Sequence, residues 1–216
     1  YCNKIRNTMR KVYIYLLNTT ADWEMGHLCA ELNSRRFFKK DAEEISLKYV
    51  SASKETVRTM GGLTVTPDCL VDDISIDEKT VLILPGADTW DDESNNKVLE
   101  KSVEILNANG TVCAICGATV ALAKKGLLDH QHHTSNGKGF LEMFVPEYKG
   151  TEFYVDSPAV ADKNLITAGA TGSLLWTKLI IERLNVFSDK ALESWYNYFK
   201  TGKAEYFFAL MQQAGK

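Results

Sequence analysis

The apolar positions of this chain fall into short unbroken runs, separated by longer stretches where they recur every three or four residues. Residues 12–17 (VYIYLL), 45–50, 81–84 (VLIL) and 111–115 (TVCAI) are short and rich in β-branched side chains, as strands buried on both faces of a parallel sheet are. Residues 23–38 predict a helix with Asp22 as N-cap and Met25, Leu28, Cys29, Leu32 and Arg36 as its inward stripe. Residues 94–107 predict a second helix, stopped by Asn109-Gly110, and residues 117–125 a third, with Lys124-Lys125 in its last turn and Gly126 closing it. Gly61-Gly62 between two β-branched pieces predicts a hairpin over residues 56–67.

After Gly126 the pattern is less regular. Strand pieces over residues 153–166 surround a turn at Asp162-Lys163-Asn164, and a helix is predicted over 169–184, where Leu174, Leu175, Lys178, Leu179 and Glu182 alternate between faces. The tail, 189–213, carries Trp195, Tyr196, Tyr198, Phe199, Tyr206, Phe207 and Phe208, which predict core packing or a dimer seam. The alternation of strands and helices predicts an α/β fold: a three-layer sandwich with a mostly parallel central sheet, flavodoxin-like, its ligands bound beyond the carboxyl ends of the strands. Three loops belong at such ends and should converge: residues 19–24, 86–88 and Cys116-Gly117. Residues 1–10 are polar and basic with no apolar segment following, so they are set aside as an extension or tag, and 11–216 is expected to be one domain.

Composition narrows the function. A net charge of −3 over 216 residues gives no footprint for nucleic acid, and no apolar run approaches the ~20 residues of a membrane span. The five cysteines (Cys2, Cys29, Cys69, Cys113, Cys116) are odd in number and scattered, which points to a reducing, cytoplasmic setting. Cys113 and Cys116 have C-x-x-C spacing, but they fall on and at the end of a strand rather than at a loop or helix start. Around His130, the run Asp129-His130-Gln131-His132-His133 looks metal-like; with no second cluster it reads as a polar loop, and neither metal nor cofactor is expected.

The chemistry gathers at residues 111–126, where a strand passes into a helix with no loop and Cys116 stands alone at the junction. A residue in so sharp a turn needs small flanking residues, and Ala114, Gly117 and Ala118 supply them. A thiol at the first turn of a helix faces unpaired N–H groups and the positive end of the dipole, which predicts a lowered pKa. A buried structural cysteine would fit the same stretch. Glu24, in the first turn of the first helix, reads from its position alone as a surface residue complementing the dipole. Small residues after the third strand (Pro85-Gly86-Ala87) let backbone N–H groups approach a ligand.

Four blocks in order resemble the ThiJ/PfpI superfamily, which includes the parkinsonism-associated protein deglycase, intracellular proteases and small-molecule hydratases, and whose fold is related to class I glutamine amidotransferases. They are Asp22-Trp23-Glu24, Leu82-Ile83-Leu84-Pro85-Gly86-Ala87, Ala114-Ile115-Cys116-Gly117-Ala118 and Asn164-Leu165-Ile166-Thr167-Ala168-Gly169. The resemblance implies Cys116 as nucleophile, Glu24 as its acidic partner, and an oxyanion hole from the backbone of Gly117, Ala87 and Gly86. Protease-type members carry a histidine directly after the nucleophile, where this chain has Gly117. Deglycase-type members place one in a Thr-Thr-His segment, where this chain has Thr134-Ser135-Asn136. Asn136 can donate a hydrogen bond but cannot carry a proton near neutral pH. His27, one turn after Glu24, is a candidate auxiliary, and His130, His132 and His133 are further substitutes outside any matching position.

Three functions follow as expectations. The first is a cysteine-dependent hydrolase or lyase acting on a small carbonyl or amide substrate, or on a peptide. The second is an oxidative-stress sensor whose cysteine is oxidised to sulfinate. The third is a non-catalytic interaction protein; a homodimer is expected in any case. A histidine within reach of the Cys116 sulfur would favour hydrolysis, and Asn136 alone would favour the sensor.

Overall fold

The computed structural model of the chain describes residues 9–213. Strand β1 (Arg10–Tyr15) leads to helix α1 (Asp22–Ser34), β2 (Ile45–Ser51), the hairpin strands β3 (Val57–Arg58) and β4 (Thr64–Val65), and the short β5 (Cys69–Leu70). There follow β6 (Thr80–Leu84), α2 (Asn96–Asn107), β7 (Thr111–Ile115), α3 (Gly117–Lys124) and α4 (Phe140–Phe144). The chain then forms β8 (Ala159–Asp162), β9 (Leu165–Ala168), α5 (Ser173–Leu184), α6 (Asp189–Thr201) and α7 (Ala204–Met211). The expected α/β sandwich is observed: a seven-stranded sheet in the order β5-β2-β1-β6-β7-β9-β8, parallel except that β8 runs antiparallel to β9. The Arg10 placed in the extension instead begins β1, opposite Ile45 of β2; residues 1–8 of that extension lie outside the described residues.

Period-two alternation divides the core into two layers. Val12, Ile14 and Leu16 face one side with α1, α5 and α6, while Tyr13, Tyr15 and Leu17 face the other with α2, α3 and α4. Each apolar side chain removed from water contributes about 1.5–3 kcal/mol, so a one-residue slip of β1 would forfeit both faces at once. Strand order reverses at β1: the chain steps outward to β2 and β5, then returns to place β6 on the other side of β1. The carboxyl ends of β1, β6 and β7 lie side by side at that reversal.

Several local readings change. Helix α1 stops at Ser34 because Arg35 adopts a left-handed conformation (φ 55°) and donates its N–H to Glu31 O. Arg36 therefore lies outside the helix, half exposed, with its guanidinium on the buried Glu31, which also accepts Trp195 Nε1 at 3.0 Å. Asp22 is the first helical residue rather than the cap, and its Oδ2 accepts the Gly61 N–H of the hairpin at 2.6 Å. The aromatic tail divides: Trp195 is wholly buried, whereas Phe199, Phe207 and Phe208 stay exposed.

Candidate active site

Strand β7 is buried along its whole length, and α3 starts on the next residue but one. Cys116 makes the turn between them at φ 55°, ψ −122°, a region costly for any residue with a Cβ, by ~1–3 kcal/mol. The strain is held by bonds on both sides. Cys116 N–H donates to Ala168 O at 2.9 Å, and its carbonyl accepts the Thr119 hydroxyl at 2.6 Å and the Thr119 N–H at 3.0 Å. Thr119 Oγ1 also lies 2.6 Å from Ser135 Oγ. Because the one Thr119 hydroxyl proton goes to Cys116 O, Ser135 is the donor of that second bond. Ala114 and Ala118 are fully buried, as the tight turn requires.

The three loops at the strand ends converge. Ala21 N–H donates to Gly86 O at 2.9 Å, Asp88 N–H to Thr19 Oγ1 at 2.8 Å, and Gly86 N–H to Glu24 Oε2 at 2.7 Å. Glu24 is therefore no surface residue but almost fully buried, projecting from the first turn of α1 under Gly86 towards Cys116. A Cβ on Gly86 would sit 2.5 Å from Glu24 Oε2 and 2.8 Å from Cys116 Cβ, so only glycine lets the two residues meet there. Glu24 Oε1 is buried with no partner of good geometry.

Both members of the pair are shifted upward. Burial raises the Glu24 carboxyl, against the lowering effect of the Gly86 N–H and the Cys116 thiol. Burial also raises the Cys116 thiol; the Glu24 carboxyl adds to this, while Asn136 and the Gly117 N–H pull it back. The lowered thiol pKa expected from the helix start is thus overturned: a half-buried sulfur beside a carboxyl loses more hydration than the helix end returns.

Asn136 reaches the sulfur, with Nδ2 3.3 Å from Cys116 Sγ, while its Oδ1 accepts the Ala170 N–H at 2.8 Å. No histidine joins them. His27 packs edge-on against Phe199 (4.7 Å between centroids) and Trp195 (6.0 Å), on the α6 side of α1. His133 is buried between Tyr148 OH (2.5 Å) and Gln131 O (2.7 Å), and burial lowers its pKa. His132 faces Asp162, and both His130 and His132 lie against Phe153.

Cys116, Gly117, Ala87 and Asn136 border an open cleft of about 260 Å³, walled by Trp90, Val120, Phe140 and Phe144. Gly117 lies so close to Ala87 that a Cβ on it would stand 3.0 Å from Ala87 O and 3.6 Å from Ala87 N. Gly86 is different: its N–H is occupied by Glu24, so it shapes the site without supplying an oxyanion donor. A second cleft of about 370 Å³ lies beyond Asn136, beside Tyr154, Ser157 and Thr171. The apolar wall was not foreseen, because Phe140 and Phe144 come from an irregular stretch with no period to read.

Comparison with known proteins gives a consistent picture. A sequence model of the DJ-1/PfpI family matches residues 10–183. The chain is 43% identical over 202 residues to the Bacillus subtilis protein called "Uncharacterized protease YoaZ", covering 94% of this chain and 96% of that one. It superposes on a thiJ/pfpI family protein from Bacillus anthracis with a TM-score of 0.93 and 45% identity, over 96% of this chain and 98% of that one. The DJ-1 superfamily protein Atu0886 from Agrobacterium tumefaciens follows at a TM-score of 0.77 and 27% identity, over 90% and 99% of the two chains.

Proposed function

The chain belongs to the DJ-1/PfpI family, and from that premise we propose that it is a cysteine-dependent enzyme acting on small carbonyl compounds, with Cys116 as nucleophile and Glu24 as its proton partner. The carrying observation is the buried Glu24 carboxyl, unpartnered at Oε1 and placed against the thiol. Two such groups cannot both hold a negative charge, so the pair keeps at least one proton between them near neutral pH. A thiol whose pKa is raised needs to surrender its proton as it attacks, and the adjoining carboxylate is the group that takes it.

The names of the relatives describe proteases, which supports hydrolytic chemistry in general. The narrower choice rests on proton supply. Amide cleavage asks more of the site: besides passing the thiol proton to the departing amine it must activate a water in a second half-reaction, and Asn136 can carry no proton for either step, which leaves both to Glu24. Addition to an aldehyde or ketone moves a single proton. The S–C bond forms, the carbonyl π pair moves to oxygen, and that oxygen takes back through Glu24 the proton the thiol gave up. The N–H groups of Gly117 and Ala87 serve the developing oxyanion, a contribution of ~3–4 kcal/mol per donor where such groups are removed.

The test is reaction of small aldehydes, activated esters and peptide amides with the native chain, Cys116→Ala and Glu24→Gln. The hemithioacetal that this addition leaves on Cys116 is the species to follow: its formation with a small aldehyde should vanish in Cys116→Ala and slow roughly 10²–10⁴-fold in Glu24→Gln, the range of general acid-base catalysis. Undiminished aldehyde addition in Cys116→Ala would end the proposal. Asn136 at the sulfur, in place of a histidine, favours one second reading: an oxidant sensor in which peroxide converts Cys116 through sulfenate to sulfinate. Mass spectrometry after mild peroxide should then find Cys116 modified ahead of the other four cysteines; indiscriminate oxidation would argue against it. In either case we expect a homodimer, a reading that the exposed Phe207 and Phe208 support and light scattering tests.

A further inference from the structure

The two halves of the Cys116 cleft differ in chemistry. One wall is apolar and partly rigid: Trp90 is buried and pinned through Nε1 to Pro85 O at 2.9 Å, and Phe140 packs at a tilt against the exposed Phe144 with centroids 4.9 Å apart. The charged side chains of the lining are both acidic, Asp88 and Asp91. The carboxylate of Asp91 pairs with Lys124, whereas among the described residues Asp88 has no side-chain partner, only a backbone N–H held by Thr19.

Taking the carbonyl reading above as its starting point, we propose that this cleft selects carbonyl substrates bearing an apolar, preferably aromatic, group and excludes substrates bearing a carboxylate or other anion. Phe140 and Phe144 are the specificity-determining apolar contacts, and Asp88 repels anions. The apolar half of the substrate loses water against Trp90 and the two phenylalanine rings, which contributes in proportion to the area covered. An anionic group entering the same cleft meets the carboxylate of Asp88, with no cation among the described lining residues to offset it.

Alkyl methanethiosulfonates test this without requiring turnover, because the Cys116 sulfur displaces methanesulfinate from them and forms a disulfide readable by intact mass. Each rate is divided by that of the same reagent with free 2-mercaptoethanol, and Cys116→Ala identifies labelling at the other cysteines. The normalised rate of the ethylammonium reagent should exceed that of the ethylsulfonate reagent by about tenfold at low salt, and the gap should narrow at high salt. Asp88→Asn should shrink it several-fold. The benzyl reagent should outpace the methyl reagent several-fold, and Phe144→Ala, alone and with Phe140→Ala, should remove that advantage. Charge-blind labelling, or a benzyl preference unchanged in the double variant, overturns the inference; the salt arm needs no variant and stands if one fails to fold. Absent hemithioacetal formation with intact labelling selectivity would instead sink the carbonyl reading alone.

Discussion

Asn136 meets Cys116 with an amide whose orientation is already decided: Ala170 N–H occupies its oxygen at 2.8 Å, so the group 3.3 Å from the sulfur is the nitrogen, a donor. That single bond is the side-chain influence that most lowers the Cys116 pKa against burial and Glu24. Asn136→Asp keeps an acceptor for Ala170 but turns a carboxylate towards the sulfur. A lost donor of ~1 kcal/mol corresponds to roughly fivefold in thiolate population, and the added charge acts in the same direction. Alkylation of Cys116 by iodoacetamide at pH 7 should slow at least that much, with its pH profile displaced to higher pH. Asn136→His should do the reverse, since an imidazolium beside the sulfur stabilises thiolate; an unchanged profile in both variants would remove Asn136 from the site.

Gly86 gives a steric prediction. It stands between Glu24 and Cys116 and has no positive φ that would demand glycine on conformational grounds. An added methyl would overlap Glu24 Oε2 at 2.5 Å and Cys116 Cβ at 2.8 Å. Gly86→Ala should therefore cost about 1–3 kcal/mol in urea unfolding and disrupt the Cys116–Glu24 contact. Gly26, exposed in α1 with nothing within 4 Å of its added Cβ, is the matched control. Gly26→Ala should stabilise by about 0.5–1 kcal/mol, because glycine is a poor helix residue. Equal effects at the two positions would contradict this account.

What the sequence made legible follows the range of the interactions concerned. The elbow could be read from residues 111–126 because periodicity changes from strand to helix with no room for a loop, and Cys116 makes that turn. Convergence of the three loops followed from parallel topology alone. Asp22 and Arg36 were misassigned because capping and amphipathic rules see only side-chain spacing: the Gly61 N–H that engages Asp22 comes from the distant hairpin, and Arg36 left the helix because Arg35 turned left-handed before it. Gly86 showed the same limit: its small size was evident, but the direction of its N–H was not. The five-residue α4 is too short to leave a period, so Phe140 and Phe144 had no visible place in the site.

The buried Glu24 makes stability depend on pH with a definite sign. Its carboxyl is raised above the ordinary value of 4.5, so the folded state holds a proton that the unfolded chain has begun to lose. The stabilisation is complete below about pH 4.5 and is lost as pH rises through the folded value. Glu24→Gln has nearly the same shape, can still accept the Gly86 N–H through its amide oxygen, and carries no titrating proton. Urea midpoints measured from pH 4 to 8 should therefore show the variant gaining on the native chain as pH rises, by at most about 1.4 kcal/mol per pH unit, then holding a constant lead. The same substitution removes the carboxyl that helps to raise the Cys116 thiol, and its amide can donate to the sulfur. Alkylation of Cys116 should consequently shift to lower pH even as hemithioacetal formation slows, separating a sulfur that is easier to ionise from one that has lost its proton carrier. A stability gap independent of pH, together with an unmoved alkylation profile, would mean that Glu24 and Cys116 do not share a proton.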